Sequence, residues 1–389
     1  MLVIRLNYYA WHSAMERDAA MKIGIPKEVK IMEGRVAVTP AGVRQLTDHG
    51  HAVYIEKGAG MGLGINDDQY TGAGASILDS ADSVWAQSEM IFKVKEPIRE
   101  EFDRMKKEQI LFTYLHLAAD GQLTKKLLEK KVIGIAYETI QEDDGSLPLL
   151  APMSEVAGRL SVQMGCYCLE AKNGGRGILL SGVTGVLPAK VCIIGGGISG
   201  FNAARVAAGM GASVTILDVN LNRLRYIDDI FQSRVITLRS NSETIAECVS
   251  GADLVIGSVL IPGAKAPKLV TAELLSLMKP GSALVDIAID QGGCAETSRP
   301  TTHTDPIYII RGVVHYCVTN MPGAVPRTST YALTNATLPY ALELADKGFD
   351  KAVRDNLPLR RGVNVFKGQL TNKNVAVALG MKSVDLPVA

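Results

Sequence analysis

Short apolar, β-branched runs recur along the chain and alternate with stretches whose apolar positions follow a helical period. Residues 22–25, 52–55, 90–94, 110–113 and 132–136 read as strands, separated by helical stretches such as 40–48 and 120–130. The rhythm returns at 191–194, 213–217, 235–238, 253–257, 283–287 and 308–310. Such alternation signals βαβ units that build a parallel sheet, so the fold class expected is α/β with two doubly wound units.

The join between the units is punctuated. Pro148 and Pro152 precede a long helical pattern over 154–172, which runs into Asn173-Gly174-Gly175, a common helix stop. A boundary is placed near Leu150. After Pro322 and Pro326, helical stretches over 330–347 and 374–381 are too short for a core of their own and are expected to pack back on the first unit. The expected division is therefore 21–149 with 326–389 as one discontinuous domain and 150–325 as the other. Residues 1–20 look detached: Arg5, Asn7 and His12 interrupt any signal-type apolar stretch, and Met21 opens a clean strand, so they read as a leader outside the fold or the product of an upstream start codon.

Composition narrows the class. The chain has 389 residues with 41 Lys+Arg against 40 Asp+Glu, which favours neither nucleic acid nor an anionic membrane surface. Its six cysteines follow no metal-binding spacing and suit reduced thiols, which points to the cytoplasm. No run is long and apolar enough for a spanning helix.

The strongest motif is VCIIGGGISGFNAARVAAGMGASVTILD. Gly195, Gly197 and Gly200 follow an apolar strand and open a helix, and the next strand ends in Asp218. Glycines give a tight turn and close backbone approach to a pyrophosphate at the helix N-terminus, while the acid accepts from ribose hydroxyls. The second unit is thereby expected to be a Rossmann domain. Asp218 would repel a 2′-phosphate and favours NAD, although Arg223 and Arg225 nearby are of the type that accommodates one. A second glycine-rich stretch, EKGAGMGLG at 56–64, lacks a good helix after it and reads as a flexible turn.

Ligands of open parallel sheets lie beyond the carboxyl ends of the strands. There the first unit supplies Glu33 and Arg35, then Lys93, Lys95 and Glu96 in MIFKVKEP, then His116. A planar guanidinium fork suits a carboxylate, a lysine adds a compact charge, and an imidazole moves protons near neutrality. Together they describe a pocket for a small 2-oxo or 2-amino acid. In the second unit Val259, Leu260, Asp290, Asn320 and Met321 follow strand ends; Asp290 also suits a helix or turn cap.

From Met21 onward the chain resembles the alanine dehydrogenase and pyridine nucleotide transhydrogenase family, through IPKEVKIMEGRVAVTP, MIFKVKEP, FTYLHLAAD, the glycine motif with Asp218, DIAIDQGG and VTNMPGAVPRTST. The resemblance implies L-alanine dehydrogenase activity with NAD, giving pyruvate and ammonia. It implies Arg35 and Lys95 as substrate-binding residues, and His116 and Asp290 as the acid/base pair. It further implies cofactor contacts from Ser154, Asp218, Arg223, Ser240, Val259, Leu260, Ile287, Ala288, Ile289, Asp290, Arg299, Val318, Thr319, Asn320 and Met321. The resemblance also implies assembly as a homo-hexamer, the usual state of the family. Some relatives hold a divalent ion near a glutamate and a histidine; Glu138 fits the first, but Lys347 stands in the second place, so no metal is expected. Three alternatives remain open at this stage: the NAD(H)-binding subunit of a proton-translocating transhydrogenase, a saccharopine-type amino acid dehydrogenase, and a non-catalytic NAD-sensing module.

Overall fold

The computed structural model describes residues 20–259 and 266–387, so the leader 1–19 and Leu260 lie outside the described residues. The strands in chain order are β1 (Lys22–Ile25), β2 (Ala52–Glu56), β3 (Ser76–Leu78), β4 (Met90–Phe92), β5 (Ile110–Thr113), β6 (Ile133–Ala136), β7 (Lys190–Ile194), β8 (Ser213–Asp218), β9 (Val235–Arg239), β10 (Leu254–Gly257), β11 (Ala283–Asp286), β12 (Ile307–Ile310), β13 (Val313–Tyr316), β14 (Val363–Phe366) and β15 (Gln369–Leu370). The described residues up to Pro152 and from Pro326 form one compact unit, and Met153–Val325 form another.

The first unit is built on an eight-stranded sheet in the order β15-β14-β6-β5-β4-β1-β2-β3. Its first six strands are parallel, while β14 pairs antiparallel with β6 and with β15. Strands β4, β5 and β6 are buried throughout, as expected for a parallel sheet covered on both faces. The returning chain completes this core: Val365, Leu370, Val375 and Ala376 pack with Leu111, Leu123 and Leu127. Strand order reverses at β1, with β2 on one side and β4 on the other. The β1 and β4 carboxyl ends therefore flank the crevice that such a sheet offers to ligands.

The second unit has a seven-stranded sheet in the order β12-β13-β11-β10-β7-β8-β9, parallel except for the β12–β13 pair. Here the reversal falls at β7, and the glycine motif leaves that strand. Both units are thus doubly wound, as the strand rhythm predicts.

Several boundaries differ from expectation. The helix expected over 154–172 spans Ala151–Leu169. The one expected over 330–347 is part of Pro326–Asp355, a run broken at Gly348, whose φ of 70° and ψ of 165° are not helical. The EKGAGMGLG stretch is a tightly packed turn rather than a flexible one: a Cβ on Gly62 would lie 2.4 Å from the Gly34 carbonyl oxygen. That approach seats the turn against the segment carrying Glu33 and Arg35.

Candidate active site

In the first unit, the predicted residues gather where the topology places them. Arg35, 2% exposed, is gripped by its near neighbour Glu33, with Nε to Oε1 at 2.6 Å and Nη2 to Oε2 at 2.5 Å. The two lysines of MIFKVKEP part company. Lys93 turns into the core, 1% exposed, and pairs with Glu101 at 2.8 Å and Glu28 at 3.3 Å, so it is a structural charge rather than a pocket cation. Glu28 also accepts from the backbone N–H groups of Val94 (2.6 Å) and Lys95 (3.3 Å), which fixes the chain between the two lysines. Lys95 makes no ion pair among the described residues. Burial, and then the charge of Arg35, hold its pKa below the usual lysine range.

Glu96 has two partners. Lys30 donates to one oxygen, and the other lies 3.4 Å from His116 Nδ1. His116 itself is in the left-handed region, φ 49° and ψ 34°. A non-glycine residue held there marks a locally strained backbone. Glu138 maintains the turn: its carboxylate accepts from His116 N–H at 2.6 Å and from Leu115 N–H at 3.2 Å. Desolvation pulls the His116 pKa down, but the Glu138 charge and the Glu96 contact outweigh it, and the net direction is upward. Tyr114, whose hydroxyl donates to Leu149 O, packs its ring 5.6 Å from the imidazole.

In the second unit the glycine turn has the form a dinucleotide requires. Gly195 has φ +102°, and a Cβ on Gly200 would fall 1.8 Å from Gly195 O. A Cβ on Gly197 would meet nothing within 4 Å, so this glycine leaves open space at the N-cap of the helix Ile198–Gly209. Asp218 Oδ2 accepts from Gly196 N–H at 2.7 Å, joining the β8 end to the turn. Arg223 donates from Nε to Gly196 O and lays its guanidinium over Phe201 and Tyr226. Arg225 bonds Asn222. Ser154 and Ser240 border the same region: Ser154 O accepts from the Ser199 hydroxyl at 3.0 Å, and Ser240 N–H donates to Asp218 O at 2.9 Å.

Farther along this sheet, Ile287, Ala288, Ile289 and Asp290 form a 3-10 turn after β11. Asp290 is exposed, and its Oδ1 accepts from Asn320 N–H at 3.3 Å. Asn320 has φ 58° and follows Val318 and Thr319; Met321 is buried in the turn it opens. Arg299 stacks 4.0 Å over the Tyr308 ring. Val259, half-buried, follows Ser258.

Sequence reasoning missed two organising residues in this unit. Ser258 donates to Ile194 O and Gly195 O, and Asp286 collects several backbone N–H groups. Asp286 ends β11 and Ser258 follows β10, so position was the available signal.

For metals, Glu138 is committed to backbone N–H groups, and Lys347 pairs with Glu343 and Asp355. Among the described residues, His49, His51 and Asp346 place ligand-type atoms within 4.8 Å of one another. There His51 Nδ1 accepts from Met21 N–H at 3.3 Å. Its proton therefore sits on Nε2, which donates to Asp346 at 2.9 Å, and no lone pair on that nitrogen faces the cluster.

The glycine cradle with its acid, on a sheet that reverses at the same point, defines a nucleotide-binding α/β protein whose first unit carries a charged crevice of its own. Family models named "Alanine dehydrogenase/PNT" match residues 24–157 for the N-terminal domain and 161–373 for the C-terminal domain. An alanine dehydrogenase of Methanococcus maripaludis is 60% identical over 94% of this chain and 97% of its own length. A solved L-alanine dehydrogenase superposes with a TM-score of 0.90 at 52% identity, covering 92% of this chain and 99% of that one. A transhydrogenase from Sinorhizobium meliloti, 24% identical with a TM-score of 0.78 over 90% of this chain and 99% of its own, shares the fold. The chain belongs to the alanine dehydrogenase/PNT family, whose fold implies a nicotinamide dinucleotide cofactor.

Proposed function

We propose that the chain is an NAD-dependent L-alanine dehydrogenase, interconverting L-alanine with pyruvate and ammonia. The observation that carries the reading is the cluster at the β1, β4 and β5 ends: buried Arg35, and Lys95 with no ion pair among the described residues, beside a histidine whose Nδ1 lies 3.4 Å from Glu96. The substrate carboxylate is assigned to Arg35 and Lys95. Held on the glycine turn of Gly195, Gly197 and Gly200 and by Asp218, a bound nicotinamide dinucleotide would supply the acceptor for the hydride of the amino acid Cα. The imino acid so formed must then add water. Because His116 Nδ1 faces Glu96, its Nε2 is the atom that takes a proton from that water. The same nitrogen returns the proton to the amine, and as ammonia leaves and the carbonyl of pyruvate forms it takes up the proton of the carbinolamine hydroxyl. Asp290 orients the water or the departing amine.

NAD rather than NADP is favoured by Asp218, and by the engagement of Arg223 with the glycine turn and of Arg225 with Asn222. The remaining expected cofactor contacts, from Ser154, Ser240, Val259, Arg299 and the turns at Asp290 and Asn320, belong to the same proposal. Self-association, proposed to be a homo-hexamer as the resemblance implies, draws support in its general form from an exposed apolar loop carrying Leu179, Val183, Val186 and Leu187. A cytoplasmic setting is supported by the six free cysteines. No helix among the described residues is long and apolar enough to cross a membrane.

The deciding assay mixes purified protein with NAD and L-alanine and follows absorbance at the reduced-nicotinamide band. Strong signal with alanine and none with saccharopine or lysine is expected. Absence of alanine-dependent reduction would leave the transhydrogenase-subunit or NAD-sensing readings, and reduction with saccharopine would favour the saccharopine-type dehydrogenase.

A further inference from the structure

We propose that Asp286 is a positioning residue for Asp290, setting the loop on which it stands; this rests on the proton-handling role assigned to Asp290 above. Asp286 ends β11 and is fully buried. No lysine or arginine pairs with it among the described residues. Its charge is met by loop donors: Oδ1 accepts from Ala288 N–H at 3.1 Å, while Oδ2 accepts from Cys294 N–H at 2.8 Å, Ala295 N–H at 3.3 Å and the Ser298 hydroxyl at 2.5 Å.

These bonds bracket Asp290. The Ala288 bond caps the 3-10 turn Ile287–Gln291, on which Asp290 stands. The bonds to Cys294, Ala295 and Ser298 close the far side of the loop. The fit is tight, since a Cβ on Gly293 would lie 2.7 Å from Asp286 Oδ2. One carboxylate therefore fixes both sides of the loop at once. An amide cannot do the same, because Asn would turn an NH2 group towards N–H donors on one side and leave them unsatisfied. A proton-handling group displaced by about 1 Å can cost on the order of a hundredfold in rate.

The test is a double-mutant cycle on the full chain, with kcat for alanine deamination measured for wild type, Asp286→Asn, Asp290→Asn and the double variant. Asp286→Asn is expected to lower kcat roughly 10- to 100-fold, with a smaller change in the alanine KM. In the Asp290→Asn background it should lower kcat by less than about twofold, because the group it positions is already gone. A merely structural role would instead lower kcat by the same factor in both backgrounds, and that additivity overturns the proposal. If Asp290→Asn alone leaves kcat unchanged, the assignment of Asp290 fails and the positioning role with it; additivity with a disabling Asp290→Asn rejects Asp286 alone. Should Asp286→Asn not fold, Ser298→Ala, which removes one donor to the same oxygen, runs through the same cycle. It is expected to give a smaller kcat loss that also vanishes when Asp290 is Asn, and persistence of that loss overturns the proposal.

Discussion

His116 Nδ1 lies 3.4 Å from Glu96 Oε2, and the other oxygen of that carboxylate is held by Lys30. Together with the charge of Glu138, this contact favours the protonated imidazole. Because the folded His116 pKa is raised above the ordinary 6.5, deamination, which needs the neutral ring, should fall off on the acid side at a pH above 6.5. Replacing Glu96 by Gln removes one of the two carboxylates that raise it, so the limb should move to lower pH in a kcat/KM profile. His116→Ala should cost about 10²–10⁴-fold in kcat. Near-normal turnover in that variant would remove His116 from the mechanism.

The same contact has a stability consequence on the acid side. Despite its burial, Glu96 is held at a pKa of about 2 by His116 and Lys30, below the ordinary 4.5. A depressed carboxylate contributes stability that is fully present above about 4.5 and lost as pH falls towards 2. Urea midpoints should therefore decline through that window less steeply for Glu96→Gln than for wild type. Equal slopes would show that the carboxylate is not stabilised in the folded state.

Arg35 presents a planar fork, part of which Glu33 holds in place. Lysine keeps the charge but loses the fork. Arg35→Lys should raise the pyruvate KM roughly tenfold or more, the scale of one lost charged hydrogen bond of about 1.5–3 kcal/mol. An unchanged KM would take Arg35 out of the substrate site.

Elements whose signal is local were legible in the sequence. The glycine motif, the strand before it and the acid after it carry their own context, and most parallel strands are unbroken apolar runs. Short edge pieces were not: Ser76–Leu78 has three residues, Gln369–Leu370 has two, and their identity comes from the neighbour they pair with. The site was half legible. Arg35, Lys95 and His116 are named by strand-end position, but Lys93 has the same credentials, and only the placement of Glu28 and Glu101 shows that it is enclosed. Asp286 and Asp290 are four residues apart in one motif, and sequence pointed only to Asp290. What singles out Asp286 is a set of backbone donors that folding brings to it.

Asp218 joins its strand end to the glycine turn through Gly196 N–H. Asp218→Ala should weaken NADH binding by about tenfold, the scale of one hydrogen bond to a charged group. It should weaken NADPH binding less, because the repulsion of a 2′-phosphate is relieved at the same time. Fluorescence titration with the two reduced cofactors gives the ratio directly. A parallel loss for both would show that Asp218 supports the turn without reading the ribose.

Lys93 offers the complementary case, a charge whose loss should show in stability more than in chemistry. It lies between two carboxylates whose side chains are 2% exposed. Burial alone would lower its pKa, but Glu28 and Glu101 outweigh it and the net shift is upward. Lys93→Met would leave both acids without their counter-ion, and removing one partner from a buried ion pair typically costs about 3–5 kcal/mol. The urea midpoint should drop sharply, while the pyruvate KM of the folded fraction changes far less than in Arg35→Lys. A Lys93→Met protein of wild-type stability that no longer holds pyruvate would reverse the assignment, making Lys93 the pocket cation in place of Lys95.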